Sequence, residues 1–286
     1  MRLETGQMVG EALRQASRAL GAVSGSPQLD AGVLLAAMLG VERTALLAHP
    51  ERLLTPDQAA HYAELVARAA EGTPIPYLTG WRAFYHHDFI VTPDVLIPRP
   101  ETEHLVDAAL AWAQTWPQQR LTIVDVGTGS GAIALSLAAA LPGATVYALD
   151  CSAVALEVAR RNAIQIGVSN VRFGQGDLLT ALPDGVKPDL IVANLPYIPS
   201  ADLEALAVAR HEPRLALDGG LDGLDVIRRL AAEAADRVPP TFALLLEIGA
   251  GQGRAVSALC RRAFPGARVR VLPDYAGHDR IVEVTR

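Results

Sequence analysis

Apolar residues recur every three or four positions up to about residue 75. From Pro100 onward they gather into continuous runs separated by helical stretches, so the pattern predicts two architectures in one chain. In the first region Met8, Val9, Ala12, Leu13, Ala16, Ala19 and Leu20 share one helical face. Two further helices carry start and stop signals. Ser26-Pro27 and Thr55-Pro56 each place a hydroxyl before a proline at the first helical position, and Gly40 and Gly72 stand where those helices should end. Residues 1–75 therefore read as a small helical bundle.

Between the two regions the composition changes. Residues 72–101, GTPIPYLTGWRAFYHHDFIVTPDVLIPRPE, hold five prolines and clustered aromatics. Short β-rich runs around Phe84 to Phe89 and Val91 to Ile97 suggest a hairpin-like connector over residues 76–99. Over residues 100–286 a helix from about 101 to 115 is followed by strand LTIVDVG, helix GAIALSLAAAL, strand TVYALD, helix AVALEVARRNAIQIG and strands VRFGQGD and DLIVAN. A helix near 222–236, strand FALLLEIG and the paired segments ARVRVLPD and DRIVEVTR complete the series. Uninterrupted apolar strands between helices predict an α/β fold, a mostly parallel sheet of seven strands buried on both faces.

Composition narrows the partners. Half of the 286 residues are apolar, enough for a substantial core, and the formal net charge is -6. Basic residues run no longer than pairs such as Arg160-Arg161, which argues against direct nucleic-acid or anionic-membrane binding. Cys151 and Cys260, far apart, are expected to fill core space in a reducing compartment, and the N-terminus lacks the apolar block of a signal peptide. A cytoplasmic protein, monomeric when free, is the expectation. His86 and His87 have no third ligand at a metal-binding spacing, so no metal is expected.

The chemistry concentrates at strand ends. DVGTGSGAIAL, residues 125–135, follows a strand and opens a helix, where glycines let backbone approach a ligand. Gly127, Gly129 and Gly131 fit this use, yet Gly127, Gly129 and Ala132 also satisfy the dinucleotide pattern, leaving NAD open on the loop alone. Asp150, at the end of the next strand, can accept from both hydroxyls of a ribose. Asp125 at the strand tip suits a cationic or amino-bearing ligand, which favours S-adenosylmethionine over a pyrophosphate. Asp177 is placed to meet an adenine amino group, with Leu178 against the ring. A second glycine run, EIGAGQG at 247–253, leaves too little chain for another βαβ unit and reads as a tight strand-to-helix turn.

The strand LIVAN ends in Asn194-Leu195-Pro196-Tyr197. An amide with nearby backbone carbonyls can accept both hydrogens of a planar NH2 group while a phenol stacks on its face. Such a grip suits methyl transfer to a nitrogen whose lone pair is otherwise delocalised. The bland alternative is a turn, since Asn and Pro are common turn residues.

Taken with PIPYLTGWRAFYHHDFIVTPDVLIPRPETEHLVD, HEPRLALDGGLDGLDVI and EIGAGQG, these segments resemble class I S-adenosylmethionine-dependent methyltransferases. More narrowly they resemble the HemK family, the protein-(glutamine-N5) methyltransferases of peptide chain release factors. VLIPRPETE is the most specific of these segments. The resemblance implies a Rossmann-like methyltransferase sheet in residues 100–286, and residues 1–75 are expected to hold the release factor, since a single glutamine offers too little surface for selection. It implies that Gly127, Thr128, Gly129, Ser130, Gly131 and Asp150 bind S-adenosylmethionine, released as S-adenosylhomocysteine, with Asp177, Leu178 and Asn194 beside it. Asn194, Leu195, Pro196 and Tyr197 would grip the glutamine of the Gly-Gly-Gln motif in class 1 release factors, with Asn194 and Tyr197 catalytic. The family's tetrapeptide is normally Asn-Pro-Pro-Tyr; Leu195 keeps the backbone carbonyl and loses proline's fixed angle. Asn-Leu-Pro-Tyr also resembles the motif of adenine-N6 methyltransferases of nucleic acids, the alternative reading. In PRPETE, Pro100, Glu101 and Glu103 read as a helix start, and His211 and Glu212 as candidates for the substrate mouth.

Overall fold

The computed structural model describes residues 6–116 and 120–286. The chain forms two compact units, the first ending at Trp81 and the second running from Arg82 to Arg286.

The first unit is helical: α1 (Val9–Leu20), α2 (Pro27–Leu39), α3 (Arg43–Ala48), α4 (Pro56–Ala70) and α5 (Ile75–Thr79). Val9, Ala12, Ala16 and Leu20 of α1 are buried against Leu34 and Leu35 of α2 and Leu65 and Val66 of α4, whereas Met8 is exposed. The Tyr62 hydroxyl donates to the Ala31 carbonyl at 2.9 Å and joins α4 to α2. Of the two anticipated caps, Thr55 forms a full capping box with Gln58, while the Ser26 hydroxyl makes no cap bond. Ser24 takes over at that turn, accepting from the Ser26 N–H and donating to Asp30. Two helices were not foreseen. α3 is too short to show a stripe, burying only Leu46. α5 lies in the proline-rich stretch and tolerates Pro76 because the first turn of a helix needs no N–H there.

In the connector, β1 (Trp81–Phe84) and β2 (His87–Ile90) pair as a two-stranded sheet, turning through Tyr85 at φ 54°. Residues 91–97, expected as a β-rich run, form no strand. Val91, Val95 and Ile97 are buried, but Pro93 and Pro98 withdraw ladder donors and Val95 N–H closes a turn onto Thr92.

The second unit continues with α6 (Glu103–Gln114), β3 (Thr122–Val126), α7 (Ala132–Ala140), β4 (Thr145–Asp150), α8 (Ala153–Ile166), β5 (Val171–Gln175) and β6 (Leu190–Ala193). It ends with α9 (Asp225–Arg237), β7 (Ala243–Glu247), α10 (Gly253–Ala263), β8 (Arg268–Pro273) and β9 (Asp279–Thr285). The seven strands lie in the order β5-β4-β3-β6-β7-β9-β8. All neighbours are parallel up to β7, and β9 then runs antiparallel to both β7 and β8. Alternate residues serve opposite faces, and both faces are covered. Val124, Ile191 and Leu244 join one core cluster, and Ile123, Val192 and Leu245 the other. That is why the central strands read as unbroken apolar runs.

The chain winds outward from β3 through β4 to β5, then returns to place β6 on the other side of β3. A topological switch therefore opens at the carboxyl ends of β3 and β6, where an open α/β sheet offers its crevice. The register Val126↔Ala193 sets Gly127 and Asn194 side by side there.

Candidate active site

A cavity of about 710 Å³ opens at this switch point. Its walls include Gly127, Thr128, Gly129, Ser130, Asp150, Asp177, Leu178, Asn194, Leu195 and Pro196. Residues from four strand ends, spread over 70 positions of sequence, thus meet in one hollow. Gly131 and Tyr197, both expected at the site, do not line it.

The glycine loop owes its shape to three left-handed residues, Gly127, Gly129 and Gly131, at φ 75°, 56° and 84°. A Cβ on Gly131 would lie 2.9 Å from Leu135 Cδ1 and 3.2 Å from Ala159 Cβ, so this glycine lets α7 start tightly against α8 rather than facing a ligand. Nothing lies within 4 Å of the corresponding point on Gly129.

Asp125 was expected to meet a ligand at the strand tip, and the structure corrects this. Its side chain is fully buried under the loop and does not line the cavity. Asp125 Oδ2 accepts from the Thr128 hydroxyl at 2.7 Å and from Ala134 N–H at 3.1 Å, bracing the turn from below. Burial pushes its carboxyl up to about 7 against those two bonds, and its Oδ1 has no partner. Asp150 by contrast reaches the cavity. Its Oδ2 accepts from Gly129 N–H and its Oδ1 from Ser152 N–H, both at 2.8 Å, which fixes the carboxylate while each oxygen keeps lone-pair capacity for a further donor.

Sequence reasoning missed Asn162, which is fully buried on α8. Its Oδ1 accepts from Ile90 N–H at 2.7 Å, and its Nδ2 donates to Ile90 O at 3.0 Å and to Ser130 O at 2.8 Å. One side chain thereby ties β2 to the glycine loop. An amide on the apolar face of ARRNAIQIG was the available signal.

Asp177 is exposed and ion-paired with Arg229, and Leu178, buried at φ 50°, turns its backbone left-handed beside it. Cys151, expected in the core, is exposed on the cavity wall because it directly follows Asp150 at the strand end, while Cys260 is buried. Glu212 is buried and accepts from Ile97 N–H at 3.2 Å and from Arg99 at 2.5 Å, holding the LIPR segment against the loop after β6. Pro100 to Glu103 open a helix as expected, with Glu103 the first residue of α6, and Glu103 Oε1 also accepts from Tyr85 N–H at 2.8 Å.

At the acceptor end Asn194 Nδ2 donates to Thr102 Oγ1 at 3.1 Å. Leu195 packs inward, and a Cβ on Gly127 would meet its Cδ2 at 3.1 Å, so the leucine rests on the glycine loop. Pro196 faces the cavity, and Tyr197 turns away to pack beside Gly249. Gln252, from the second glycine run, donates to the Tyr197 carbonyl at 2.9 Å and accepts from Gly249 N–H at 2.8 Å. That run is a tight strand-to-helix turn leading into α10, and it supports the motif from behind. Among the described residues no cluster of three or more His, Cys, Asp or Glu could hold a metal ion, and no helix is long and apolar enough to cross a membrane.

Comparisons with known proteins bear on this arrangement. Residues 11–80 match the PrmC N-terminal domain and residues 117–215 a methyltransferase domain. The release factor glutamine methyltransferase of Moorella thermoacetica is 49% identical over 276 residues, covering 96% of this chain and 95% of that protein. Its counterpart in Bordetella pertussis is 45% identical, covering 90% of this chain and 94% of that protein. Among solved structures, a Thermus thermophilus 16S rRNA N2 G1207 methyltransferase in complex with AdoMet and guanosine superposes with a TM-score of 0.54 at 18% identity, over 74% of this chain and 52% of that one. That likeness concerns the fold. The glycine loop, the amide-bearing strand end and near full-length identity agree, and the chain belongs to the release factor glutamine methyltransferase family.

Proposed function

We propose that this enzyme transfers a methyl group from S-adenosyl-L-methionine to N5 of the glutamine in the Gly-Gly-Gln motif of class 1 peptide chain release factors. The observation that carries the proposal is the meeting of Asn194, Leu195 and Pro196 with the glycine loop and Asp150 in one cavity. The donor set fits the cofactor. Asp150, held by two backbone donors, offers acceptors to ribose hydroxyls, and Leu178 offers an apolar surface to an adenine with Asp177 beside it. Gly127 to Ser130 allow the backbone to approach. When bound, the cofactor supplies an electrophilic methyl group on its sulfonium.

The remaining work is positioning. A carboxamide nitrogen is a poor nucleophile because its lone pair is delocalised into the carbonyl. The Asn194 side chain and the carbonyls that follow it are acceptors placed to direct both hydrogens of that NH2 group, leaving its lone pair free to face the methyl. Tyr197 lies outside the cavity wall, so its part is to anchor the Pro196 turn through Gln252 rather than to stack on the substrate. The helical unit is assigned to holding the release factor, since one glutamine offers too little surface for selection. The reaction is placed in the cytoplasm, with the free enzyme monomeric.

The adenine-N6 reading drew on the Asn-Leu-Pro-Tyr tetrapeptide alone, and near full-length relatives named as glutamine methyltransferases speak against it. The test is incubation with S-adenosylmethionine and a purified release factor, followed by peptide mass spectrometry. A 14 Da gain on the Gly-Gly-Gln peptide is expected. An unmodified peptide together with methylated RNA would overturn the proposal.

A further inference from the structure

Two rows of side chains run along α9. Ile227, Leu230, Ala231 and Ala234 are buried in one core cluster with Leu178, Leu179 and Leu182, which seats the helix against the segment that follows β5. Beside them stand Arg229, Glu233 and Arg237, four residues apart and so stacked on one face of the helix. Such spacing ordinarily makes a solvated ladder of i,i+4 ion pairs. Here each of the three reaches across to residues 177–182. Arg229 pairs with the Asp177 carboxylate, Glu233 Oε2 accepts from Leu179 N–H at 3.1 Å, and Arg237 Nη1 donates to Leu182 O at 3.2 Å.

That segment needs holding. Leu178 is left-handed at φ 50°, a conformation that opposes the turn by about 5- to 30-fold for any residue with a Cβ. Leu179 is fully buried, and its N–H lies at the start of the single 3₁₀ turn Leu178–Ala181, where the turn offers it no carbonyl. Glu233 supplies the acceptor from 54 positions away in sequence. Asp177 and Leu178 line the cavity, whereas Glu233 and Arg237 stand behind them and do not.

We propose that Arg229, Glu233 and Arg237 are positioning residues that hold the Asp177-Leu178 turn in the shape that receives the adenine of the cofactor, with Glu233 the principal tie. Glu233 satisfies a buried donor, while the pair between Arg229 and Asp177 is half exposed and contributes less. The tie acts before a ligand arrives. A turn that keeps its receiving shape only a tenth of the time weakens binding about tenfold. Because the adenosine half is common to S-adenosylmethionine and S-adenosylhomocysteine, the row sets affinity for both alike and leaves the transfer step at Asn194 untouched. This rests on the reading of Asp177 and Leu178 as the adenine side of the site, which Leu178→Ala tests separately.

Glu233→Ala removes the acceptor, and Glu233→Gln keeps one in its amide oxygen. Calorimetric titration of the full chain with S-adenosylmethionine, S-adenosylhomocysteine and methylthioadenosine, which lacks the amino-acid half, reads the effect. E233A should raise all three Kd values by a common factor of about 5 to 30, the weight of the left-handed turn. E233Q should raise them less than about threefold, and R229A less than about fivefold. In E233A, kcat at saturating cofactor and the KM for the release factor should stay within about twofold of wild type. Amide exchange at Leu179, read by NMR without ligand, should be slow in the wild type and E233Q and faster in E233A. A merely structural role would lower Tm and leave the three Kd values, measured well below the melting range, unchanged. That result, an equal loss in E233Q, or a loss confined to the two ligands with an amino-acid half would each overturn the proposal. If L178A leaves all three Kd values unchanged, the adenine lies elsewhere and the underlying reading falls with the row; if L178A weakens them and E233A does not, the row alone falls. Should E233A not fold, Glu233→Asp, one methylene short of Leu179, takes its place with the same expected direction.

Discussion

Asn162→Ala tests whether the glycine loop is held from behind. Asn162 is fully buried, and truncation removes three hydrogen bonds, at 2.7, 3.0 and 2.8 Å. It strands the Ile90 N–H and weakens the satisfaction of two carbonyls. A buried donor left unpaired costs about 1 to 3 kcal/mol, and carbonyls with a second lone pair cost less, which suggests a total of about 3 to 4 kcal/mol. In a domain of this size each kcal/mol lowers Tm by roughly 2 to 4 °C, so a fall of roughly 6 to 16 °C is expected. Because one of the lost bonds holds Ser130 O, cofactor affinity should drop as well, although Asn162 does not line the cavity. Circular dichroism melting of the full chain measures the first effect, and calorimetric titration with S-adenosylmethionine well below the melting range measures the second. A Tm shift under about 2 °C with unchanged affinity would show that the three bonds are replaced by water and that the loop holds itself.

Other substitutions separate folding from binding. Gly131→Ala should cost about 2 to 4 kcal/mol, a left-handed alanine plus a Cβ pressed onto Leu135 and Ala159, whereas Gly129→Ala should cost only the backbone part, about 1 to 2 kcal/mol. Equal melting temperatures for the two would refute the packing argument. Asn194→Ala should lower kcat by about 100-fold while the Kd for S-adenosylmethionine weakens less than about tenfold; near-normal turnover would remove Asn194 from the mechanism. Asp125 carries a folded-state value of about 7 against 3.8 unfolded, so its contribution to stability is fully present below about pH 4 and is lost as pH rises through 7. The Tm of Asp125→Asn relative to wild type should therefore climb between pH 5 and 8, and a constant gap across that range would contradict the buried charge.

Much of this was legible in residue order. The central strands β3, β4, β6 and β7 fall where apolar runs place them, because a strand buried on both faces leaves a continuous signal that the half-exposed β5 and β8 do not. Gly40 ends α2 left-handed and Thr55 caps α4, since both devices are local and need only neighbours in sequence. α5 was hidden by prolines, and residues 91–97 imitated a strand, because β-propensity says nothing about whether a partner edge is present.

The candidate site divides the same way. Glycines at 127, 129 and 131, the carboxylate of Asp150 and the amide of Asn194 announce themselves by type and by their place after a strand, since a strand end is a local property. What each side chain faces was decided by contacts across the sheet. Asp125 turned under its loop because Thr128 and the Ala134 N–H reach it there, and Tyr197 turned toward Gly249 because Gln252 holds its carbonyl. Asn162 and Thr102 stand 72 and 92 positions from the groups they hydrogen-bond, Ile90 and Asn194. Sequence alone therefore determined the order of elements and the chemical groups at their tips. Only the tertiary structure decided which of those groups share a cavity and which end of an amide looks into it, because hydrogen-bond direction depends on partners that the chain brings together only by folding.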